Sequence, residues 1–295
     1  MALRKGETSS NLLLSGKYRF RELRLIRGEE RIVEWWCSAD ALVLKAIAIV
    51  LTEHLQPHLS PRCFHLAGTG GAKAAVREVA AHLEGNEFVF RTDVKGYYAS
   101  IYHDILLNLV RRYVEDGFVL DLVQQYLQRF VSDGGEYTDI EQGISLGCPL
   151  SPLMGALYLK PLDDRMAQLG CFYVRFMDDW VVLAPTRWKL RAAISVVNQV
   201  MNELLVEQHP DKTFIGRIAR GFDFLGYWFT LTGLSVAEKT VTRMLDKVSR
   251  LYERGADVIR IETYIRRWWL WVNCGVFLGC WGGQVRCVTS LTHSA

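Results

Sequence analysis

Two adjacent aspartates, Asp178 and Asp179, sit inside a strongly apolar run from Tyr173 to Leu183. The β-branched and aromatic flanks have the composition of strands, which puts the acidic pair at the tip of a tight hairpin. Two carboxylates held side by side against apolar surroundings repel each other and lose hydration. The pair is costly unless a cation neutralises it. Oxygen donors suit a hard divalent ion, Mg2+ or Mn2+. A solvated turn is the competing reading, because Asp is common in turns. A third acid, Asp93, closes another apolar run, Phe88 to Thr92, and is followed by Val94, Tyr97, Tyr98 and Ile101. Three carboxylates on two neighbouring strands would cage two divalent ions. Such a pair can activate an attacking hydroxyl and stabilise a leaving pyrophosphate in one in-line displacement. The alternative for Asp93 is an N-cap at a strand–helix junction.

The elements that must position these acids are read from periodicity. Leu42 to Leu55 is an apolar helix stopped at Gln56-Pro57. The glycine loop Gly68-Thr69-Gly70-Gly71 leads into an amphipathic helix, Lys73 to Leu83. Phe88 to Asp93 is a strand. Helices are expected from about His103 to Tyr113 and from Leu120 to Phe130, with a turn at Gly134-Gly135. Gln142 to Pro152 is a loop, Met154 to Leu169 one helix, and Lys189 to Leu205 another. Phe222 to Thr230 is a strand, Gly233 closes a turn, and the remainder from Val236 is mostly helical. Residues 1 to 16 are read as a flexible start. Strands and helices alternate without a regular βαβ repeat, so the class is α+β.

Composition sets outer limits. The 295 residues, half of them hydrophobic, are ample for one large domain or a few joined subdomains. The net charge of +3 permits a nucleic-acid partner without requiring one, since clustering matters more than the sum. Lys17, Arg19, Arg21, Arg24, Arg27 and Arg31 do cluster, although a solvated face explains them on charge alone. The seven cysteines include no C-x-x-C pair, so no zinc site is readable, and reduced thiols in the cytoplasm are expected. No apolar segment approaches a bilayer span, and no membrane partner is expected. The nearest, Trp268 to Trp281, reads as a helix buried against the protein body.

The motifs, taken in order, carry a resemblance. Phe90-Arg-Thr-Asp93-Val-Lys-Gly-Tyr-Tyr98, Gln142-Gly-Ile-Ser-Leu-Gly-Cys-Pro-Leu-Ser-Pro152, Phe176-Met-Asp-Asp179, His209-Pro-Asp-Lys212-Thr and Phe222-Asp-Phe-Leu-Gly-Tyr227 together resemble reverse transcriptases of the bacterial kind, over about residues 20 to 270. Each motif alone is weak; five in family order are not. The resemblance implies a right-hand polymerase with fingers (1–92), palm (93–230, with an insertion around 105–140) and a short thumb with the C-terminal tail (231–295). It implies RNA-templated DNA synthesis from dNTPs onto a DNA or RNA primer, with two Mg2+ or Mn2+ ions held by Asp93, Asp178, Asp179 and the Val94 carbonyl. Asp178 would be the ligand shared with Asp93, and Asp179 the more adjustable member. Tyr98 would lie under the sugar and exclude a ribose 2′-hydroxyl. With the segment extended, Tyr97 would face away from it. Gln142 and Gly143 would pack against nucleotide and template, and Lys212 would act on the leaving pyrophosphate as general acid or counter-charge. Arg27 and Arg31 would meet the triphosphate, with Lys73 and its helix end as further candidates.

Departures from the pattern narrow the placement. Retron enzymes usually read Tyr-Ala-Asp-Asp in the turn and carry a Val-Thr-Gly thumb motif, where this chain has Phe176-Met177 and no Val-Thr-Gly. Diversity-generating elements usually replace Gly-x-Pro by Ser-Gln, whereas Gly147-Cys-Pro149 is kept here. Group II intron proteins add maturase, DNA-binding and often endonuclease regions, for which the residues after the Phe-Leu-Gly-Tyr block are expected to leave no room. The nearest fit is a small stand-alone class, with a retroelement or anti-phage setting and a dedicated non-coding RNA as candidates by analogy. Two other readings compete: a template-independent or protein-primed nucleotidyl transferase on the same palm, and a non-catalytic RNA-binding scaffold.

Overall fold

Phe88-Val89-Phe90 and Trp180-Val181-Val182-Leu183 are apolar at successive positions, the pattern of strands covered on both faces. The computed structural model, which describes residues 9–21, 23–27, 32–133 and 136–276, builds them into one central sheet. In it β3 (Phe88–Asp93) lies between β7 (Asp179–Ala184) and β8 (Phe214–Arg217), with β6 (Phe172–Phe176) beyond β7, all antiparallel. Alternate residues feed different cores. Phe90, Trp180, Val182 and Ala184 join one core with Leu190, Ala193, Val197 and Val200 of α9 (Arg187–Glu203). Val89, Val174, Val181 and Leu183 join a second with Ala75, Val76 and Val79 of α3 (Gly71–Ala81). Both faces are therefore dry, and only the strand ends offer room for polar chemistry.

The first core extends through α2 (Ser38–Leu55), α5 (His103–Arg111), α6 (Gly117–Leu127), α7 (Ser151–Tyr158) and α8 (Lys160–Leu169). A second sheet, β2-β1-β4-β5, pairs β1 (Leu23–Arg27) in parallel with β4 (Phe130–Asp133) and antiparallel with β2 (Ile32–Trp35); β5 (Glu136–Asp139) flanks β4. The third sheet is a meander of β9 (Phe222–Phe224), β10 (Tyr227–Thr230) and β11 (Gly233–Val236). Helices α10 (Glu238–Glu253) and α11 (Val258–Asn273) follow it.

Several expectations are corrected. The helix expected over Met154–Leu169 breaks at Leu159, because Pro161 has no amide to continue the ladder. Phe222–Thr230 is two strands, joined at Leu225-Gly226 with φ of +47° and +87°, both central residues of the turn lying at positive φ. The residue range read as a flexible start contains α1 (Ser9–Leu14), whose Leu12 and Leu13 pack near Tyr18, Val43 and Leu122; residues 1–8 lie outside the described set. The helix α6 ends at Leu127, and Phe130 opens a strand instead. The expected turn at Gly134-Gly135 also lies outside the described residues. The buried helix expected from Trp268 ends at Asn273, and its Leu270 and Trp271 are exposed rather than covered. No helix among the described residues is long and apolar enough to cross a membrane.

Candidate active site

The acids meet because two strands pair. Register sets Asp93 at the end of β3 directly opposite Asp179 at the start of β7. The β6–β7 hairpin closes through only Met177 and Asp178, with Phe176 paired to Asp179. Asp178 is thus in the turn itself, as the sequence implies. Asp179, which the sequence reading makes the adjustable member, is the acid fixed across from Asp93.

Lys212 arrives by a different route. Beyond β3 the chain stays zipped to a later segment: the Asp93 carbonyl accepts from the His209 amide at 2.9 Å, and the Lys95 amide donates to the Glu207 carbonyl at 2.9 Å. Upstream, β3 pairs instead with β8. Between these two pairings the 3-10 turn Pro210–Lys212 loops out beside Asp93. Lys212 Nζ lies 2.5 Å from Asp93 Oδ2. Val94 bridges Gln208 on the same edge.

Arg91 is absent from the sequence-derived candidates, yet it lies on the same strand face as Asp93, two residues earlier. Its Nη1 donates to Asp223 Oδ1 at 3.1 Å, and its Nε lies 3.8 Å from Asp179 Oδ1. Asp223, on β9 between the buried Phe222 and Phe224, also has Lys239 Nζ at 3.8 Å. Alternation along β3 is the signal that could have found Arg91. The position of Asp223 on a different sheet leaves no such signal.

The acids suit a cation. Asp93 Oδ1 and Asp179 Oδ1 are buried and accept no hydrogen bond. Burial, opposed by Arg91 and reinforced by Asp93, Asp178 and Asp223, pushes the Asp179 carboxyl up to about 7. Burial also raises Asp178, with Asp93 adding to it. A carboxylate that resists ionisation and has an unfilled oxygen is one that a divalent ion stabilises. Among the described residues no three His, Cys, Asp or Glu side chains already converge as a metal site. Lys212 and Arg91 supply the positive charge instead. Asp93 and Asp179 open on a cleft of about 560 Å³, walled by Lys239, Arg243, Tyr264, Trp268 and Trp271 of the two C-terminal helices.

Tyr98 lies nearby, but not as expected. Residues Tyr97–Ser100 form a helical turn (α4) rather than an extended segment, so the two tyrosines do not face opposite ways. Their ring centroids are 5.7 Å apart. Both lie against Gly155 of α7, where an added Cβ would come within 3.2 Å of either ring. Tyr97 is buried and donates to the Gly155 carbonyl at 2.5 Å; Tyr98 stays half-exposed. Gln142 Nε2 donates to the Ser100 carbonyl at 3.0 Å. Gly143 holds φ +88° with its Cα side pressed on Ala99 and Tyr98, where a Cβ would meet backbone at 3.1 Å, so only glycine fits. The Gln142–Pro152 block and the turn after Asp93 are thereby one unit.

Other candidates separate from this cluster. Lys73 does not reach the acids: it donates to Tyr227 Oη, lies 4.5 Å over the Trp271 ring and is 3.4 Å from the Val272 carbonyl. Arg31 and the side chain of Arg27 lie outside the described residues; the backbone of Arg27 ends β1.

The comparisons agree with this geometry. Among curated proteins, the Putative COX1/OXI3 intron 1 protein of Saccharomyces cerevisiae is 22% identical over 161 residues, 52% of this chain and 19% of that protein. The Group II intron-encoded protein LtrA of Lactococcus lactis subsp. cremoris is 24% identical over 130 residues, 44% of this chain and 22% of that protein. The chain thus matches about a fifth of the length of either relative. Among solved structures, telomerase from Candida albicans in complex with a TWJ fragment of telomeric RNA matches at TM-score 0.54 and 12% identity, covering 68% of this chain and 38% of that one. Apo telomerase from Candida tropicalis, truncated from the C-terminal domain, matches at TM-score 0.53 and 11% identity over 73% and 54%. These likenesses show the right-hand polymerase fold. Residues 28–229 match the family described as Reverse transcriptase (RNA-dependent DNA polymerase), and with two thirds of its length inside that match, the chain belongs to the reverse transcriptase family.

Proposed function

We propose that this chain copies an RNA template into DNA, joining dNTPs to a primer 3′-hydroxyl at the Asp93–Asp178–Asp179 cluster. The observation that carries the reading is the register: strand pairing sets Asp93 opposite Asp179, each with a buried oxygen that accepts no hydrogen bond, beside Lys212 and at the mouth of a basic, aromatic cleft. Asp93, Asp178, Asp179 and the Val94 carbonyl would hold two Mg2+ or Mn2+ ions, which supply activation of the attacking hydroxyl and neutralise the leaving pyrophosphate. Arg91, held by Asp223, sets a positive charge 3.8 Å from the Asp179 carboxylate. Lys212, with Nζ 2.5 Å from Asp93 Oδ2, would act on the leaving pyrophosphate as general acid or counter-charge. Tyr98, half-exposed beside Gly143, would lie under the incoming sugar and exclude a 2′-hydroxyl.

The test is extension of a primer on a defined RNA template with dNTPs and Mg2+, with the product sequenced. Complementary DNA is expected from the parent and none from Asp178→Ala/Asp179→Ala. Product made without template, or attached to the protein, would instead select the protein-primed transferase. Extension by the double variant at the parent rate would end the proposal. Sequencing the nucleic acid that co-purifies with the protein would identify a dedicated RNA and decide between a retroelement and an anti-phage setting.

A further inference from the structure

The catalytic turn contains a residue in the wrong place for its type. Met177 has φ +58°, one of three non-glycine residues at positive φ among the described residues. It is the first of two residues closing the β6–β7 hairpin, a position that glycine ordinarily fills when only that residue has positive φ. Something outside the turn must hold it there.

Two side chains do. The Met177 amide donates to His65 Nδ1 at 3.0 Å, and the Met177 carbonyl accepts from Arg175 Nη1 at 2.7 Å. Both partners are themselves fixed. Arg175 is wholly buried and bonds Asp163 through Nε at 2.8 Å and Nη2 at 2.5 Å. His65 is delivered by a segment zipped along β6. The Arg175 amide donates to the Arg62 carbonyl at 2.9 Å, and the Phe64 amide donates to the Arg175 carbonyl at 2.8 Å. The other ring nitrogen, His65 Nε2, lies 3.0 Å from the Pro152 carbonyl in the first turn of α7, where the Gln142–Pro152 block ends.

These partners fix the tautomer. A backbone amide can only donate, so Nδ1 must accept; a carbonyl can only accept, so Nε2 must carry the hydrogen. His65 is neutral, in keeping with a pKa lowered to about 4 by burial and by Arg175. We propose that His65 is a positioning residue: it sets the Met177 backbone, and through it the Asp178 carboxylate, and it ties the catalytic turn to the nucleotide block at Pro152. This rests on the polymerase reading above, but its structural half does not.

The test separates the two halves. Asn in place of His65 puts an amide oxygen where Nδ1 stands and keeps the Met177 bond, whereas Gln and Phe lose it. Amide hydrogen exchange of the peptide containing Met177, measured on the protein without metal or nucleic acid, should accelerate about tenfold in His65→Phe and His65→Gln and stay near the parent rate in His65→Asn. Single-nucleotide incorporation should show the same order: kcat falls at least about tenfold in Phe and Gln with dNTP KM little changed, and Asn recovers most of it. Parent-like exchange in His65→Phe overturns the proposal. So does equal loss of kcat in all three variants at equal thermal stability, which would mark His65 as packing. Should His65→Phe fail to fold, the Asn and Gln pair decides alone. A parent that extends no primer contradicts the polymerase reading, while the exchange difference still tests the clamp.

Discussion

Asp179 carries the sharpest consequence at the residue scale. Its carboxyl is pushed up to about 7, above the ordinary value of 3.8, chiefly by burial. The folded protein therefore holds a proton that the unfolded chain has released, and this contribution to stability is full below about pH 4 and lost as pH rises through 7. Asp179→Asn, which cannot ionise, should melt above the parent at pH 8, with the gap narrowing as pH falls and closing by about pH 4. Mg2+ should raise the Tm of the parent more than that of the variant. A gap independent of pH would refute the electrostatic account. Tyr98→Ala should relax sugar selection, lowering the preference for dNTP over rNTP by roughly 10- to 100-fold in competing incorporations; an unchanged preference would place the gate elsewhere. Lys212→Ala should lower kcat by about 100-fold, the low end of general acid catalysis. Much of this was legible in the sequence. Acids flanked by apolar residues mark a site through the cost of burying them, and the motif order names the partners. Arg91 was legible only through alternation along β3, two residues before Asp93, whereas His65 and Asp223 were not, because their roles are contacts between segments far apart in the chain.

At the element scale the central feature is the hairpin and what underlies it. The Arg175–Asp163 pair is fully buried, and Tyr173 donates to the same carboxylate at 2.9 Å. Removing one member leaves an uncompensated charge, so Asp163→Ala should cost about 3–5 kcal/mol in urea unfolding. It should also slow incorporation, since Arg175 then no longer has a fixed base from which to hold Met177. An unfolding midpoint equal to the parent's would show that the pair is solvated in solution. Elements with strong local signals were readable here: Phe88–Asp93 is the strand its composition requires. Others were hidden by local chemistry overruled at longer range. The β9–β10 turn has Leu225 where Asn is usual, so Phe222 to Thr230 reads as continuous. Tyr97–Ser100 turns helical because Gly96, at φ +58°, redirects the chain after Asp93. β1 pairs with β4 from about a hundred residues away, and nothing in either short strand announces the other.

The whole molecule places the two-faced central sheet beside the helix pair α10 and α11. Lys239 and Arg243 on α10 face Tyr264, Trp268 and Trp271 of α11 across the cleft, and Lys247, one turn further along α10, lines an adjoining pocket that Tyr264 shares. Cations and aromatic faces in that arrangement suit a nucleic-acid backbone and its bases. Replacing Arg243 and Lys247 by Gln should weaken primer–template binding and reduce its salt slope by about 1 per cation; an unchanged slope would remove these residues from the interface. The C-terminal helix pair is held to the body where Lys73 caps the end of α11 and Arg77 donates to the Gly275 carbonyl at 2.7 Å. The account as a whole stands on the acids opposite each other on β3 and β7. Its most direct test is single-turnover incorporation of one dNTP on an RNA template, as a function of Mg2+, by the parent and by Asp93→Asn. Saturable incorporation by the parent and a loss of at least about 1000-fold in the variant are predicted. Incorporation by Asp93→Asn at the parent rate would contradict the account.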